Sequence, residues 1–123
     1  MENCPFCKIV NRRLPADIVY ENDRVLVFRD IHPAAPVHLL VVPKIHIQTL
    51  SDCTGVHAGL LGEMMALIPS LADQQRIGVV GSTAETRVGG YRIIINTGPD
   101  GGQEVYHLHI HLIGGPRPWK YKN

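Results

Sequence analysis

Residues 105 to 113 read VYHLHIHLI, and this stretch decides the fold. From His107 to His111, histidines alternate with apolar residues. In a β-strand, a period of two puts His107, His109 and His111 on one face, about 7 Å apart, and the apolar residues on the other. A helix would spread the same rings around its axis. The pattern therefore predicts a strand over 105–113 with one face in the core and three imidazoles on the other.

The three imidazoles are predicted to be functional and uncharged. If protonated, neighbouring rings at this spacing would repel each other by about 2 kcal/mol at an effective dielectric constant of about 20. The arrangement therefore lowers their affinity for protons, and neutral imidazoles serve as nucleophiles, general bases or metal ligands. Half-exposed strand histidines without a role are the alternative, but the unbroken alternation favours a site built on a rigid strand.

A glycine-rich loop precedes the histidine strand. It reads NTGPDGGQ, from Asn96 to Gln103. Glycines let the backbone turn sharply and bring its N–H groups close to a ligand, and such loops can form anion-binding concavities. Taken alone, the loop could equally be an ordinary hairpin turn. Its place beside a row of histidines predicts a phosphate held next to a nucleophile, with Asn96 as a further donor.

The rest of the chain predicts an α+β domain. Apolar runs predict four further strands, at residues 17–21, 25–28, 38–43 and 91–96. Apolar residues at helical spacing predict one main helix, which Ser51 or Asp52 would cap and Pro69 would kink or end. Residues 78–90 are predicted to form a long loop. One helix is thin cover for five strands, so pairing into a homodimer is expected.

Composition bounds the class of protein. The chain has 123 residues, 45% apolar and 19% charged, with a formal net charge of +1. These values fit a single domain over 1–123, with an N-terminal segment at 1–15 and an irregular tail at 114–123. The charge balance argues against a long nucleic acid as partner, whereas a small anion needs only a few donors.

Localisation is predicted from the same survey. The apolar runs are too short to predict a membrane partner, and no secretory signal is visible at the N-terminus. The three cysteines are an odd number, which fits a reducing compartment rather than a disulfide framework. A cytoplasmic location is therefore expected.

Cys4 and Cys7 form a Cys-x-x-Cys pair near the N-terminus. Such a pair can supply two of the four tetrahedral ligands of zinc. It can also be redox-active, although a thioredoxin-like role needs a βαβ context that is absent here, or it can simply be buried. The sequence offers no second pair, so any further ligands would be distant histidines.

Together these motifs resemble the histidine triad (HIT) superfamily, and most closely its Hint branch, the purine nucleoside phosphoramidases. The stretch HLHIHLI at 107–113 is similar to the family signature, in which three histidines alternate with apolar residues. The resemblance runs from Cys4 to Trp119, and its other stretches are residues 28–31, 38–46, 91–96 and 101–106. It implies a HIT-like fold, with a five-stranded antiparallel sheet, one main helix and a short N-terminal helix, pairing into a dimer.

The resemblance also implies a hydrolase mechanism. The middle histidine, His109, would attack the α-phosphorus of a purine nucleoside 5′-phosphoramidate, and water would release the nucleoside monophosphate from the nucleotidyl-histidine intermediate. His107 matches the position that orients the nucleophile, and His111 matches a phosphate contact. His38 matches a further active-site histidine that supports the triad from the neighbouring strand.

Ligand positions are implied by the same matches. In the family, the position of Asp30 holds the ribose hydroxyls, and those of Phe28 and Ile31 line the base pocket. The implied substrate-binding residues are Phe28, Asp30, Ile31, Asn96, Gly102, Gln103, Glu104, His109 and His111. A structural zinc ion is the implied cofactor, without an organic one. Its ligands in zinc-bearing bacterial members match Cys4, Cys7, His46 and His107.

Two departures from the family pattern leave the activity open. Glu104 stands where close relatives carry a serine, so a hydroxyl donor is lost and a carboxylate appears. The loop at 78–90 is longer than the family norm, which leaves three alternatives open: a lid, a dimer contact or no added role. Two other functions therefore stay open: a hydrolase or transferase acting on dinucleoside polyphosphates, and a nucleotide- or zinc-binding regulatory module without turnover.

Overall fold

Five strands and two α-helices form within residues 3–121, the part of the chain that this computed structural model describes. Two short 3₁₀ helices, Leu50–Asp52 and Gly55–His57, precede the second α-helix. The elements in chain order are α1 Pro5–Val10, β1 Ile18–Glu21, β2 Val25–Arg29, β3 Val37–Pro43, α2 Ala58–Gln74, β4 Tyr91–Ile94 and β5 Ile110–Gly114. The predicted α+β architecture, with one main helix and a short N-terminal helix, is confirmed.

The five strands form one antiparallel sheet in the order β1-β2-β3-β5-β4. β3 lies in the middle, and its continuous Leu and Val residues are buried on both faces. On one face, Val27, Leu39 and Leu112 pack beneath α2. On the other face, Leu26 and Leu40 pack against α1. The short N-terminal helix thus covers part of the face that α2 leaves open.

α2 packs on the sheet through residues spaced three and four apart, the period of a helix face. Its buried residues are Leu60, Met64, Ile68, Leu71 and Ala72. Burial of each large apolar side chain stabilises the fold by about 1.5–3 kcal/mol. Pro69 was predicted to kink or end the helix; it does not end it, because the helix continues to Gln74. Pro69 itself is exposed, and the buried residues that follow it hold the last turn in place.

The start of α2 also differs from the prediction. The helix begins at Ala58, with His57 at its N-cap position, rather than after Ser51 or Asp52. Those two residues belong to the first 3₁₀ helix, where the Asp52 carboxylate accepts the Thr49 N–H at 3.1 Å. Asp52 therefore stabilises the first 3₁₀ helix rather than α2, and the second 3₁₀ helix lies between it and the start of α2.

By length and composition alone, Gly55–Gln74 is long and apolar enough to cross a membrane, with 20 residues and a mean hydropathy of 1.3. This apolar stretch is longer than the sequence inspection suggested. A core helix of a globular domain meets the same criterion, and one face of α2 is packed on the sheet.

α2 ends in a Schellman turn in which the usual glycine is replaced by Arg76. The Ile77 N–H donates to the Ala72 carbonyl at 2.9 Å, and the Arg76 N–H donates to the Asp73 carbonyl at 3.1 Å. This turn requires a left-handed backbone, and Arg76 adopts it with φ of +62°. The following loop is not wholly irregular, because Val80 and Val88 exchange two backbone hydrogen bonds, at 2.9 and 2.8 Å.

Candidate active site

Only the second half of the histidine segment is a paired strand, since Val105, Tyr106 and His107 form bends. β5 begins at Ile110, so the predicted strand is too long at its N-terminal end. The neighbouring strand β3 ends at Pro43, which has no N–H, and the Pro43 carbonyl accepts a hydrogen bond from the His107 ring at 2.8 Å. The Leu108 N–H donates instead to the Ile47 carbonyl at 2.7 Å. The sheet ladder therefore cannot extend to the first two histidines.

The predicted alternation of core and site residues is nevertheless present. The apolar residues of the segment pack beneath α2: Leu108, Ile110 and Leu112. His107, His109 and His111 are buried on the opposite side, with 0%, 6% and 8% of their surface exposed. The ring centroids of His109 and His111 are 4.8 Å apart, closer than an ideal strand predicts, since His109 lies before the regular strand.

The hydrogen bonds of His109 determine which nitrogen is free to react. Its Nδ1–H donates to the His107 carbonyl at 2.7 Å. The neutral ring has only one proton, so Nε2 carries the lone pair. Phe6 packs edge-on against the ring at 5.2 Å between centroids. A backbone carbonyl thus determines which ring nitrogen bears the lone pair, and an aromatic neighbour packs against the ring.

A second chain of hydrogen bonds determines the tautomer of His111. The Ala34 N–H donates to Nδ1 of His38 at 3.0 Å, so the proton of His38 lies on Nε2. That Nε2–H donates to Nδ1 of His111 at 2.8 Å. His111 therefore keeps its own proton on Nε2, where it is a hydrogen-bond donor. The bond joins His38 on β3 to the histidine segment, and a supporting role of His38 in catalysis stays a prediction.

The same tautomers argue against a metal ion held by Asp30, His38 and His111. Ligand atoms of these three residues lie within 4.8 Å of one another. The Nε2 of His38 lies 3.4 Å from the Asp30 carboxylate, but it carries a proton, because the other ring nitrogen accepts from a backbone amide. A neutral His38 thus has no lone pair to give at this position, and the cluster fits a hydrogen-bond relay instead.

A cavity of about 370 Å³ opens over the histidines. His109 and His111 line it, and so do the predicted substrate residues Phe28, Asp30, Ile31, Asn96, Gly102 and Glu104. Its apolar part includes residues that the sequence analysis did not single out: Phe6, Ile9, Leu14, Pro15 and Ala16. These residues lie in or just after the N-terminal segment, and no motif in the sequence indicates that α1 folds back over the sheet.

Gln103 differs from the other predicted substrate residues, because it is not part of the cavity wall. Its side chain is buried and holds the glycine loop in shape. The amide oxygen accepts the Gly98 N–H at 2.9 Å, and the amide nitrogen donates to the carbonyls of Gln48 at 2.8 Å and Val105 at 3.1 Å. The structure therefore assigns Gln103 the role of a positioning residue.

Tyr121, in the C-terminal tail, is a site neighbour that the sequence analysis missed. The Asn96 side-chain amide donates to the Tyr121 hydroxyl at 2.7 Å. The Tyr121 ring lies 5.3 Å from the His111 ring between centroids. The tail thus folds back to the predicted phosphate contacts, and a single tyrosine in an irregular tail gives no sequence signal of this.

Cys4, Cys7, His46 and His107 form a compact cluster, as the resemblance implies. Sγ of Cys4 lies 3.3 Å from Nδ1 of His107, and Sγ of Cys7 lies 3.2 Å from Nδ1 of His46. The two Nδ1 atoms are 3.2 Å apart. Ligands of tetrahedral zinc, at metal distances of about 2.0–2.3 Å, are separated by about 3.3–3.8 Å. The four side chains therefore fit a zinc ion in spacing and in donor type.

The protonation of the cluster supports the same fit. His107 donates its Nε2–H to the Pro43 carbonyl, so its Nδ1 lone pair faces the two sulfurs. Burial and the neighbouring Cys4 raise the pKa of the Cys7 thiol to about 11. A divalent cation would reverse this shift, because it stabilises the thiolate. The arrangement matches the Cys₂His₂ type of closed structural site.

Burial keeps the active-site histidines neutral. It lowers the pKa of His107 to about 4 and that of His111 to about 3. Burial is also the main cause that lowers the pKa values of His109 and His38. The sequence analysis predicted this direction from repulsion between the rings, but desolvation is the larger cause.

Acidification is therefore expected to destabilise the fold between about pH 6.5 and pH 4. The unfolded chain takes up protons on its histidines below about pH 6.5, whereas the buried rings do not, so the free energy of unfolding falls as the pH falls. Each such ring contributes up to about 1.4 kcal/mol per pH unit. Urea denaturation across this range gives the free energy of unfolding as a function of pH. For His111→Gln the slope of this dependence should be shallower, by the amount that corresponds to about one proton. An unchanged slope would mean that His111 titrates normally in the folded protein.

The chain is similar to proteins of one family over nearly its whole length. The family model for the HIT domain matches residues 11–117. Among curated proteins, the purine nucleoside phosphoramidase of Escherichia coli K12 is 46% identical over 114 residues, which cover 93% of this chain and 88% of that protein. The chain therefore belongs to the HIT family, and its relatives include hydrolases.

Two solved structures support the same assignment. A HIT family hydrolase from Legionella pneumophila has a TM-score of 0.80 and 42% identity, covering 94% of this chain and 95% of its own. A zinc-bound histidine triad family protein from Mycobacterium smegmatis has a TM-score of 0.72 and 29% identity, covering 92% of this chain and 75% of its own. The five-stranded fold is thus the fold of this family.

Proposed function

We propose that the protein hydrolyses purine nucleoside 5′-phosphoramidates through a nucleotidyl-histidine intermediate on His109. The observation that carries the proposal is the hydrogen bond from Nδ1 of His109 to the His107 carbonyl, at 2.7 Å. It leaves the lone pair on Nε2 of a ring that lines the substrate cavity. The E. coli relative, a purine nucleoside phosphoramidase, supports the choice of substrate.

The reaction proceeds in two displacements at phosphorus. Nε2 of His109 attacks and bonds to phosphorus, the P–N bond to the substrate amine breaks, and the leaving nitrogen takes a proton from solvent water and departs as an amine. Water then attacks the same phosphorus, breaks its bond to Nε2 and gives up a proton to solvent, which releases the nucleoside monophosphate and returns His109 to its neutral form. Nε2–H of His111 is available to donate to a phosphate oxygen, and preorganised donors of this kind stabilise the charge that develops on it.

The rest of the cavity fits a nucleotide. Asp30 accepts the ribose hydroxyls, and Phe28 and Ile31 form the apolar base pocket. Asn96 and the glycine loop, through Gly102 and the backbone N–H of Glu104, contact the phosphate. All of these residues line the cavity of about 370 Å³, which is within the size range of small-ligand sites.

A substrate panel tests this proposal. The purified protein is incubated with adenosine 5′-phosphoramidate, its guanosine counterpart and a diadenosine polyphosphate, and monophosphate release is followed by chromatography. The proposal predicts faster cleavage of the two phosphoramidates, because the amine leaves readily once protonated. Faster cleavage of the dinucleotide would favour a polyphosphate hydrolase. Binding of adenosine monophosphate without any turnover would favour a regulatory module, which Glu104 in the cavity wall would explain.

We also propose a structural zinc ion on Cys4, Cys7, His46 and His107. The spacing of the donor atoms and the zinc-bound relative from M. smegmatis support it. Bound there, the ion would supply a fixed anchor for His107 rather than a Lewis acid for the substrate. Since the His107 carbonyl accepts a hydrogen bond from the ring of His109, an ion that fixes His107 would also restrict the movement of the His109 ring.

We further propose that the protein acts as a homodimer in the cytoplasm. Exposed apolar residues on the outer side of α2 and on the edge strand β4 support self-association: Met65 is 45% exposed and Ile93 is 37% exposed. The three free cysteines support a reducing compartment. Light scattering coupled to size-exclusion chromatography measures the oligomeric state directly.

A further inference from the structure

Glu104 lies in a wall that two cavities share. It lines the catalytic cavity and also a second cavity, of about 340 Å³, that adjoins it. Pro5 and Val105 line both cavities as well. The other residues that line the second cavity are Asn3, Cys4, His46, Gln48 and Tyr106. The space beside the nucleophile therefore continues along the side chain of Glu104.

The carboxylate of Glu104 has no counter-charge close to it. Within residues 3–121, no basic nitrogen lies within 4.0 Å of its oxygens. Among the described residues, Arg29 is the only lysine or arginine in the walls of the two cavities, and its Nε lies 3.1 Å from the Asp17 carboxylate. Burial lowers the pKa of His109, and the charge of Glu104 partly opposes this shift. The carboxylate is thus within electrostatic range of the nucleophile.

This charge is unfavourable for a nucleoside monophosphate on its own. The backbone N–H of Glu104 is a proposed phosphate contact, so the carboxylate belongs to a residue that also touches an anion. Like charges repel each other, and the repulsion is stronger in a cavity than in bulk water. A positive group of the substrate beside Glu104 would replace this repulsion with attraction, because its charge is complementary to that of the cavity wall.

The leaving amine is the part of the substrate that can carry this positive group. Displacement at phosphorus is in line, so the amine lies opposite Nε2 of His109, on the open side of the phosphate. The base occupies the pocket of Phe28 and Ile31. The substituent of the amine is left with the wall of Glu104 and the second cavity, where the ring of Tyr106, which is 39% exposed, offers an aromatic face to a cation.

We propose that Glu104 determines the leaving-group specificity of the protein and selects nucleoside 5′-phosphoramidates whose amine carries a second positive charge, as a diamine does. The inference rests on the proposed cleavage at His109 and adds the chemical class of the amine. Bond breaking follows the two displacements described above, and the second ammonium group takes no part in it. The same carboxylate disfavours an amine that carries a negative charge.

Three adenosine 5′-phosphoramidates of similar length test this specificity. Their amines are putrescine, pentylamine and 5-aminovalerate, so the chain ends in an ammonium, a methyl or a carboxylate group. Release of adenosine monophosphate gives kcat/KM for each compound, and the wild type should prefer them in that order. The ratio of the first to the last should fall about tenfold in Glu104→Gln, because an exposed charge changes each of the two values only a few-fold.

Further variants separate charge from shape. Glu104→Asp keeps the negative charge and should keep most of the preference, whereas Glu104→Lys should reverse the order of the compounds. Glu85→Gln removes an exposed carboxylate that lines neither cavity, and this matched control should keep the wild-type ratio. Added sodium chloride should reduce the ratio of the wild type and leave that of Glu104→Gln nearly constant, because salt screens exposed charges.

The two proposals fail in different ways. An unchanged ratio in Glu104→Gln, with turnover present, would overturn the role of Glu104 and leave the hydrolase intact. If the wild type cleaves none of the three compounds, the proposed function is wrong, and calorimetry with the uncleaved compounds then measures the preference as affinity. Equal affinity for all three would overturn the selection of a cationic amine, and a preference that is lost in Glu104→Gln would support it.

Discussion

Replacing His109 with alanine is expected to lower phosphoramidate turnover by about 10⁴-fold or more, which is the scale on which the loss of a covalent nucleophile is felt. Neither of the other two histidines of the triad has a lone pair in the same position: Nδ1 of His111 accepts from His38, and Nδ1 of His107 faces the cysteines. Adenosine monophosphate should still bind, because the ribose and base contacts do not involve this ring. Steady-state kinetics and calorimetry together measure the two effects.

A matched control and a rescue make this test specific. His57→Gln changes a histidine at the start of α2, outside the catalytic cavity, and should leave turnover unchanged. His109→Gly leaves a space that added imidazole can enter, so imidazole should restore part of the activity of this variant and none of the activity of His111→Gln. Full activity in His109→Ala would show that another group attacks the phosphorus.

Replacing Cys4 with serine is expected to abolish stoichiometric zinc binding and to destabilise the protein. A ligand that binds only the folded state stabilises it by about 4 kcal/mol at a free concentration a thousand times its dissociation constant. Elemental analysis of freshly purified wild type should give about one zinc per chain, and denaturation with and without a chelator should show the loss of stability. Cys7→Ser should behave in the same way, since both sulfurs face Nδ1 of His107.

Cys53 provides the matched control for this experiment. It is the third cysteine, partly buried, and does not belong to the cluster. Cys53→Ser should keep its zinc and most of its stability. Wild-type protein without zinc, or equal zinc in the Cys4 and Cys53 variants, would contradict the assignment. A lower turnover in zinc-free wild type at unchanged substrate affinity would support the role of the cluster in steadying His109.

The sequence predicted the parts of the site that depend on alternation. The period of two in residues 107–113 predicted three rings on one side and apolar residues in the core on the other, and the structure packs those apolar residues beneath α2. The order of the strands and the cover provided by α1 could not be read from any local pattern, because they depend on packing between distant segments. The same holds for Tyr121, whose contact with Asn96 spans 25 residues of chain.

The errors in the sequence analysis share one physical cause. The predicted strand over 105–113 and the predicted kink or end of α2 at Pro69 both relied on local rules for hydrogen bonding. In the structure, contacts with other residues determine where each element ends. Pro43 has no N–H with which β5 could continue its pairing. The buried residues after Pro69 keep the last turn of α2 packed on the sheet. Tertiary contacts override local preferences at such positions, and they also define the tautomers on which the chemistry depends.

Because core and site residues alternate along β5, the same short strand both stabilises the hydrophobic core and positions the active-site histidines. Leu112 is a core side chain, and its neighbour His111 is a site residue on the same short backbone. A substitution that removes a methylene group from a core residue beneath α2 would let the backbone of β5 shift toward the helix. The histidine rings on the other face of the strand would shift with it. Interior substitutions that the domain survives should therefore first appear as poor turnover, well before they appear as unfolding.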